Sequence, residues 1–336
     1  MAEGLLSGTT AAGVGGTGPP APAPGRERAT PVPHPPAGGR RRRRRPLLPR
    51  LWHFGTFAAP GVLVYLCFVV APIAISLGYS LTNYNPFNPP TRYVGLRNYR
   101  ALFGDEQFLT ALRVTTIITL VVVIVPNVLG LAVAVLLDRR GWLYNALRGV
   151  FFTPIILSSV VVSVIWTRLL DTDGPVNRAL RGLGVDHPPG WLSDPRYALY
   201  SLATILSWQM LGFCVVVYLA GLQGVPPELL EAAAIDGAGP VRRFRAVTWP
   251  LLAPALTINT VVLLISAFKV YDYVKVITNG GPGAGTTATI AFNVLQTGFD
   301  ANHVGYASAM AIVMLMIVAV ATAVALRLLR SREVDL

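Results

Sequence analysis

Six long apolar runs constrain this chain more than any other feature. They cover about 54–81, 114–137, 149–167, 198–222, 251–272 and 304–326. Each is about the 20 residues that a helix needs to cross a hydrocarbon core. The first carries no charged residue, and the fifth is interrupted only by Lys269 before Asp272 at its edge. Backbone polar groups inside a bilayer must be satisfied within the protein, which leaves helices or closed barrels. Runs of this length without strand alternation predict an all-α integral membrane protein with six transmembrane helices. The composition agrees: charged residues are 13% of the chain, against about a quarter in a soluble domain.

The connecting segments carry the charge. Six consecutive arginines, Arg40–Arg45, lie in a basic, Pro-rich tail over residues 1–50 that is expected to be disordered. Beside a membrane span, such a run reads as an anchor on anionic lipid rather than a nucleic-acid site. With the N-terminus inside, inner segments hold 18 of the 28 basic residues and outer segments hold nine, with Lys269 in a span. That asymmetry predicts a multi-pass membrane protein with both termini in the cytoplasm. The spans and charges divide the chain into residues 1–50 as tail, 51–110 as the first helix and an extracytoplasmic loop, 111–328 as a five-helix core, and 329–336 as a second tail. Residues 276–299 also lack charge, but their NGGPGAGTT run is too rich in Gly and Thr for a span. They read as an extracytoplasmic loop containing a short interfacial or re-entrant piece.

Several chemistries find no support. The only lysines, Lys269 and Lys275, are each followed by Val, so no phosphate-binding P-loop exists. The two cysteines, Cys67 and Cys214, both lie in apolar runs, and the four histidines are scattered, so no metal site is expected. A membrane-embedded glycosyl- or phosphotransferase would need an acidic or metal motif, and the outer aspartates form none. An ion-coupled secondary transporter would need carboxylates within the spans.

Residues 231–250, EAAAIDGAGPVRRFRAVTWP, form the long polar, helix-forming segment of the second half. Propensity predicts a short helix, a bend at Gly237, a second basic helix and a stop at Pro250. The spacing resembles the EAA loop of binding-protein-dependent ABC importer permeases: Glu-Ala-Ala, three residues, Gly, nine residues, Ile, one residue, Leu-Pro. Val247 and Trp249 stand where that pattern has Ile and Leu. YLAGLQGVPPELLEAAAIDGAG at 218–239, the Gly280-Gly281-Pro282 and Thr286 element within 271–310, and YVGLRNYRALFGD at 93–105 are similar to the first permease subunit of maltose- and glycerol-phosphate-type importers. The likeness spans roughly 55–330.

The resemblance implies a type I ABC importer permease fold and a transport subunit rather than an enzyme. It implies a translocation pathway for a sugar, worked by alternating access. It also implies a heterodimer with a second permease, two ATPase subunits that bind ATP and Mg, and an extracytoplasmic solute-binding lipoprotein; the chain itself would hold no cofactor. Glu231, Ala232, Ala233, Asp236, Gly237 and Pro250, within an EAA-like loop at 228–250, would then couple to the ATPase.

Candidate pathway residues are Trp208, Gln209, Phe213, Asn259, Ser266 and Lys269, because a hydroxyl-rich ligand requires amide, hydroxyl and aromatic partners. Gln209 and Phe213 share a helix face, and so do Ser266 and Val270. Helix packing is the competing role for each, and Lys269 could instead snorkel to the outer surface. Asp272 and Lys275 could form a buried pair or an interfacial anchor. Pro126 and Asn127, midway along the second run, mark either a hinge or a satisfied kink.

Overall fold

The computed structural model describes residues 58–139, 141–283 and 285–331. The expectations for both tails therefore lie mostly outside the described residues. Within them the protein is helical, with one isolated antiparallel bridge between Thr82 and Tyr93.

Four helices are long and apolar enough to cross a membrane unaided: α1 (Ala58–Ser80), α3 (Glu106–Leu137), α7 (Pro195–Gln223) and α12 (Val304–Arg330). Two further spans are broken. The third consists of α4 (Trp142–Ile156) and α5 (Ser159–Leu169), bent by 100° at their junction. The fifth joins α9 (Pro240–Leu251) to α10 (Ala253–Phe268) across a 60° bend. Counting each bent pair once gives six spans. Short helices α2 (Arg97–Gly104), α6 (Pro175–Gly182), α8 (Pro227–Ile235) and α11 (Ile290–Leu295) occupy the connections.

The centre of the molecule is the α3–α7 contact, the most extensive between any two helices. Val114, Ile118 and Val122 of α3 bury against Leu202, Leu206 and Val215 of α7, and Leu263 and Ala267 of α10 close the cluster. In lipid the apolar contact itself gives little preference for protein over tail, so fit decides helix association. Gly212 shows this: a Cβ there would strike the backbone at Phe151, within 3.0 Å of its carbonyl carbon. The missing side chain lets α4 lie directly on α7. By contrast, no residue in the most apolar stretch of α1 is buried within the chain.

Two features bear on alternatives that the sequence left open. Pro126 interrupts nothing, because α3 runs continuously for 32 residues. Asn127 donates from Nδ2 to the Val123 carbonyl at 2.7 Å and accepts from the Tyr218 hydroxyl at 2.7 Å. Pro126 and Asn127 therefore lie within a continuous helix, with Asn127 tied to α7 through Tyr218. Residues 276–299 carry a short helix, α11, drawn into the bundle, in keeping with the re-entrant piece expected there. Thr287, Thr289, Ile290 and Phe292 are buried. Thr289 caps α11 by accepting from the Phe292 amide (3.2 Å) and donates to the Val270 carbonyl (2.7 Å). Thr115 of α3 accepts the Ile290 amide at 3.0 Å. Threonine hydroxyls thus satisfy irregular backbone that the bundle has drawn inward.

Candidate functional site: an exposed two-helix knob and a broken span

The knob is built from helix-end chemistry. Pro226 and Pro227 open α8, with Glu228 in its first turn. Proline suits the first turn, where no N–H is needed, and an acidic residue there meets the positive end of the helix dipole. At the other end Gly237 adopts φ +76°. The Gly237 amide bonds the Ala234 carbonyl and the Ala238 amide bonds the Ala233 carbonyl, each at 3.0 Å. This is the paired Schellman arrangement, which needs a left-handed residue after the helix cap. Asp236 is that cap. Pro240 then starts α9, whose middle turn is π-helical over Phe244–Thr248, and Pro250 sits just before the 60° bend into α10.

The surface of this knob is unusual for a loop. Ile235 is 88% exposed and Val241 73% exposed, on either side of the Gly237 turn. Glu231, Ala232 and Asp236 are exposed and Ala233 is half-buried. Glu231 forms no ion pair among the described residues; the ion pairs found there are Arg181–Asp173 and Lys275–Asp300. An added Cβ on Gly237 would meet nothing within 4 Å. The requirement for glycine is therefore the backbone angle itself and not crowding at the bend.

The structure divides the expected pathway residues. Trp208 is exposed and meets Trp166 edge to face, with ring centroids 5.4 Å apart. Phe213 and Ser266 are half-buried. Gln209 is 3% exposed and engaged on both sides. Its Nε2 donates to the Leu157 carbonyl at 3.0 Å and its Oε1 accepts from the Tyr273 hydroxyl. Asn259 is fully buried, and neither its Oδ1 nor its Nδ2 has a hydrogen-bond partner among the described residues. Lys269 is not within a helix: α10 ends at Phe268 and Lys269 is its exposed cap. Val270 lies beyond the helix for the same reason, so the expected Ser266–Val270 helical pair does not form. Asp272 and Lys275 do not pair with each other. Asp272 accepts from the Ser159 hydroxyl at 2.7 Å. Lys275 lies 3.8 Å from Asp300 and over the Phe292 ring.

Sequence reasoning missed Leu157, Ser159 and Tyr273. The signal lay in TPIILSS at 153–159, where Pro154 and two serines sit inside an apolar run. Among the described residues no group of three or more His, Cys, Asp or Glu side chains could hold a metal ion.

Comparison with known proteins places this geometry. The family described as the binding-protein-dependent transport system inner membrane component matches residues 126–333. The trehalose/maltose transport system permease protein MalF of Thermococcus litoralis is 33% identical over 257 residues, covering 76% of this chain and 85% of that protein. The diacetylchitobiose uptake system permease protein NgcF of Streptomyces coelicolor is 31% identical, covering 79% and 78%. A chain in the crystal structure of a bacterial alginate ABC transporter with its periplasmic protein superposes with a TM-score of 0.72 at 22% identity, over 84% of this chain and 96% of that one. At that identity the match speaks to fold, and it agrees with the six-span, broken-helix architecture. This chain belongs to the family of inner membrane components of binding-protein-dependent transport systems: it is a multi-pass ABC importer permease subunit and not an enzyme.

Proposed function

We propose that the chain forms half of the translocation pathway of an ATP-driven saccharide importer. Both termini lie in the cytoplasm, and the knob at 228–250 seats in a partner ATPase. The observation that carries this reading is the rigid two-helix knob presenting Ile235 and Val241 to solvent one bend away from the fifth span. Two exposed aliphatic side chains on a stiff turn are costly on a free loop and suited to a partner's cleft. The arginine asymmetry puts the knob on the cytoplasmic side. The second permease covers the lipid-facing surfaces that the chain leaves unpaired, two ATPases bind ATP and Mg, and an extracytoplasmic lipoprotein delivers the ligand.

A saccharide as cargo is supported by the names of the relatives and by the pathway candidates that remain available. Trp208, Phe213 and Ser266 offer aromatic faces and a hydroxyl. Gln209 and Asn259 are buried within the chain and are set aside as pathway residues. The test is to purify the complete transporter and incubate it with radiolabelled maltose, trehalose, diacetylchitobiose and, as a control, an amino acid. Retention of one or more saccharides is expected; retention of the amino acid alone would overturn the assignment of cargo.

A further inference from the structure

The break in the third span lies beside the middle of a neighbouring span. Gln209, which touches it, stands midway along α7, fourteen residues from either end. A helix that stops leaves its last carbonyls and the first amides of the next helix without intrahelical partners, and these need partners from elsewhere. Two adjacent residues from elsewhere in the chain attend to the two sides of the break. On one side, Tyr273 holds Gln209, and Gln209 holds the Leu157 carbonyl (3.0 Å) at the end of α4. On the other, Asp272 accepts from Ser159 (2.7 Å), the first residue of α5. Neither grip is local in sequence: the partners are 52, 64 and 113 residues apart. Asp272 itself lies four residues beyond the end of α10, the outer half of the fifth span.

We propose that Asp272 and Tyr273 form a two-point latch that sets the angle of the third span, with Gln209 and Ser159 as its positioning residues. This rests on the reading that the knob couples to an ATPase. The fifth span runs from the knob at Pro250 to the latch at Asp272, so a displacement of the knob reaches the break along one continuous stretch of chain. A rigid dipeptide that holds both flanks of a 100° bend transmits that displacement as rotation of α5 against α4. If only one flank were held, the same motion would be taken up as slack.

The chemistry of each contact makes the latch separable from plain packing. Tyr273→Phe keeps the ring and removes the donor. Gln209→Met keeps the length of the side chain and removes both the donor to the Leu157 carbonyl and the acceptor for Tyr273. Ser159→Ala removes the second grip. Asp272→Asn retains an oxygen able to accept from Ser159 and serves as the conservative control.

The experiment uses the complete transporter in proteoliposomes, measuring saccharide uptake and ATP hydrolysis in the same vesicles. Tyr273→Phe, Gln209→Met and Ser159→Ala should each lower uptake per ATP hydrolysed by roughly three- to tenfold, the scale of one lost hydrogen bond. ATP hydrolysis itself should remain, and Asp272→Asn should stay near wild type. A parallel loss of uptake and hydrolysis would mean structural damage and would overturn the latch. An unchanged ratio in all three variants would overturn it as well. Failure of the wild-type chain to support any ATP-driven uptake would instead sink the importer reading on which the latch depends.

Discussion

Gly237 and Gln209 show what a single residue discloses in sequence and what it conceals. The role of Gly237 is local: a helix that ends in a left-handed residue followed by two recognisable hydrogen bonds is readable from spacing alone. The role of Gln209 is set by Leu157 and Tyr273, and no local pattern announces either. An amide in an apolar run looks the same whether it faces cargo or caps a broken neighbour. At Gly237 the open surroundings refine the expected effect of substitution. Because an added Cβ meets nothing, the penalty is the left-handed backbone, roughly 1–2 kcal/mol for an ordinary residue. Asn tolerates that region and Val does not. Gly237→Asn should therefore retain most uptake, whereas Gly237→Val should lose most of it while remaining in the membrane. Transport assays beside membrane immunoblots would check this, and equal activity in the two variants would remove the backbone argument. Glu231→Ala, which deletes an exposed charge without an internal partner, should weaken ATPase association and leave thermal stability unchanged. Co-purification yield and a melting curve would separate the two effects.

At the scale of elements, sequence located all six spans but not their breaks. Residues 149–167 read as one run because hydropathy averages over a window and is blind to direction. The 100° turn at Leu157 is held by packing against α7 and by partners from distant residues, whereas the 60° turn at Leu252 falls between Pro250 and Pro254, which supply no helix amides. The segment around α11 was legible only as a loop with a short re-entrant or interfacial piece; the bonds that draw it inward, from Thr115 and to Val270, come from distant residues. The helix pairs themselves make sharp predictions. Tyr218 donates to Asn127 across the α3–α7 contact, where both are buried. Tyr218→Phe would leave the Asn127 oxygen without that donor, at a cost of about 1–3 kcal/mol. The purified protein should melt at a lower temperature, and no change in melting would show that this bond adds nothing. Gly212→Ala should be more damaging, because its Cβ collides with backbone on α4 and not with a mobile side chain. Loss of folded yield on size-exclusion chromatography is the expected result.

For the molecule as a whole, orientation decides whether the parts can work together. The knob, the fifth span and the broken third span form a mechanical line only if the knob faces the cytoplasm, where ATPases reside. The argument for that side is electrostatic: basic residues flanking spans are retained on the cytoplasmic face, and inner segments hold 18 of the 28. The fold supplies the positions to test. Asn145 and Pro240 are exposed on the two proposed inner connections, and Pro90 and His187 are exposed on the two outer ones. Of the native thiols, Cys214 is buried and Cys67 lies on α1, so a Cys67→Ser background leaves each new cysteine as the accessible target. With a membrane-impermeant maleimide on intact cells, cysteines at positions 90 and 187 should label. Those at 145 and 240 should label only after the membrane is opened. The contrast needs no transport activity, so it holds even if cargo or partners are wrongly assigned. The reverse pattern would put Ile235 and Val241 outside the cell, beyond the reach of any ATPase, and the proposed coupling would fail with it.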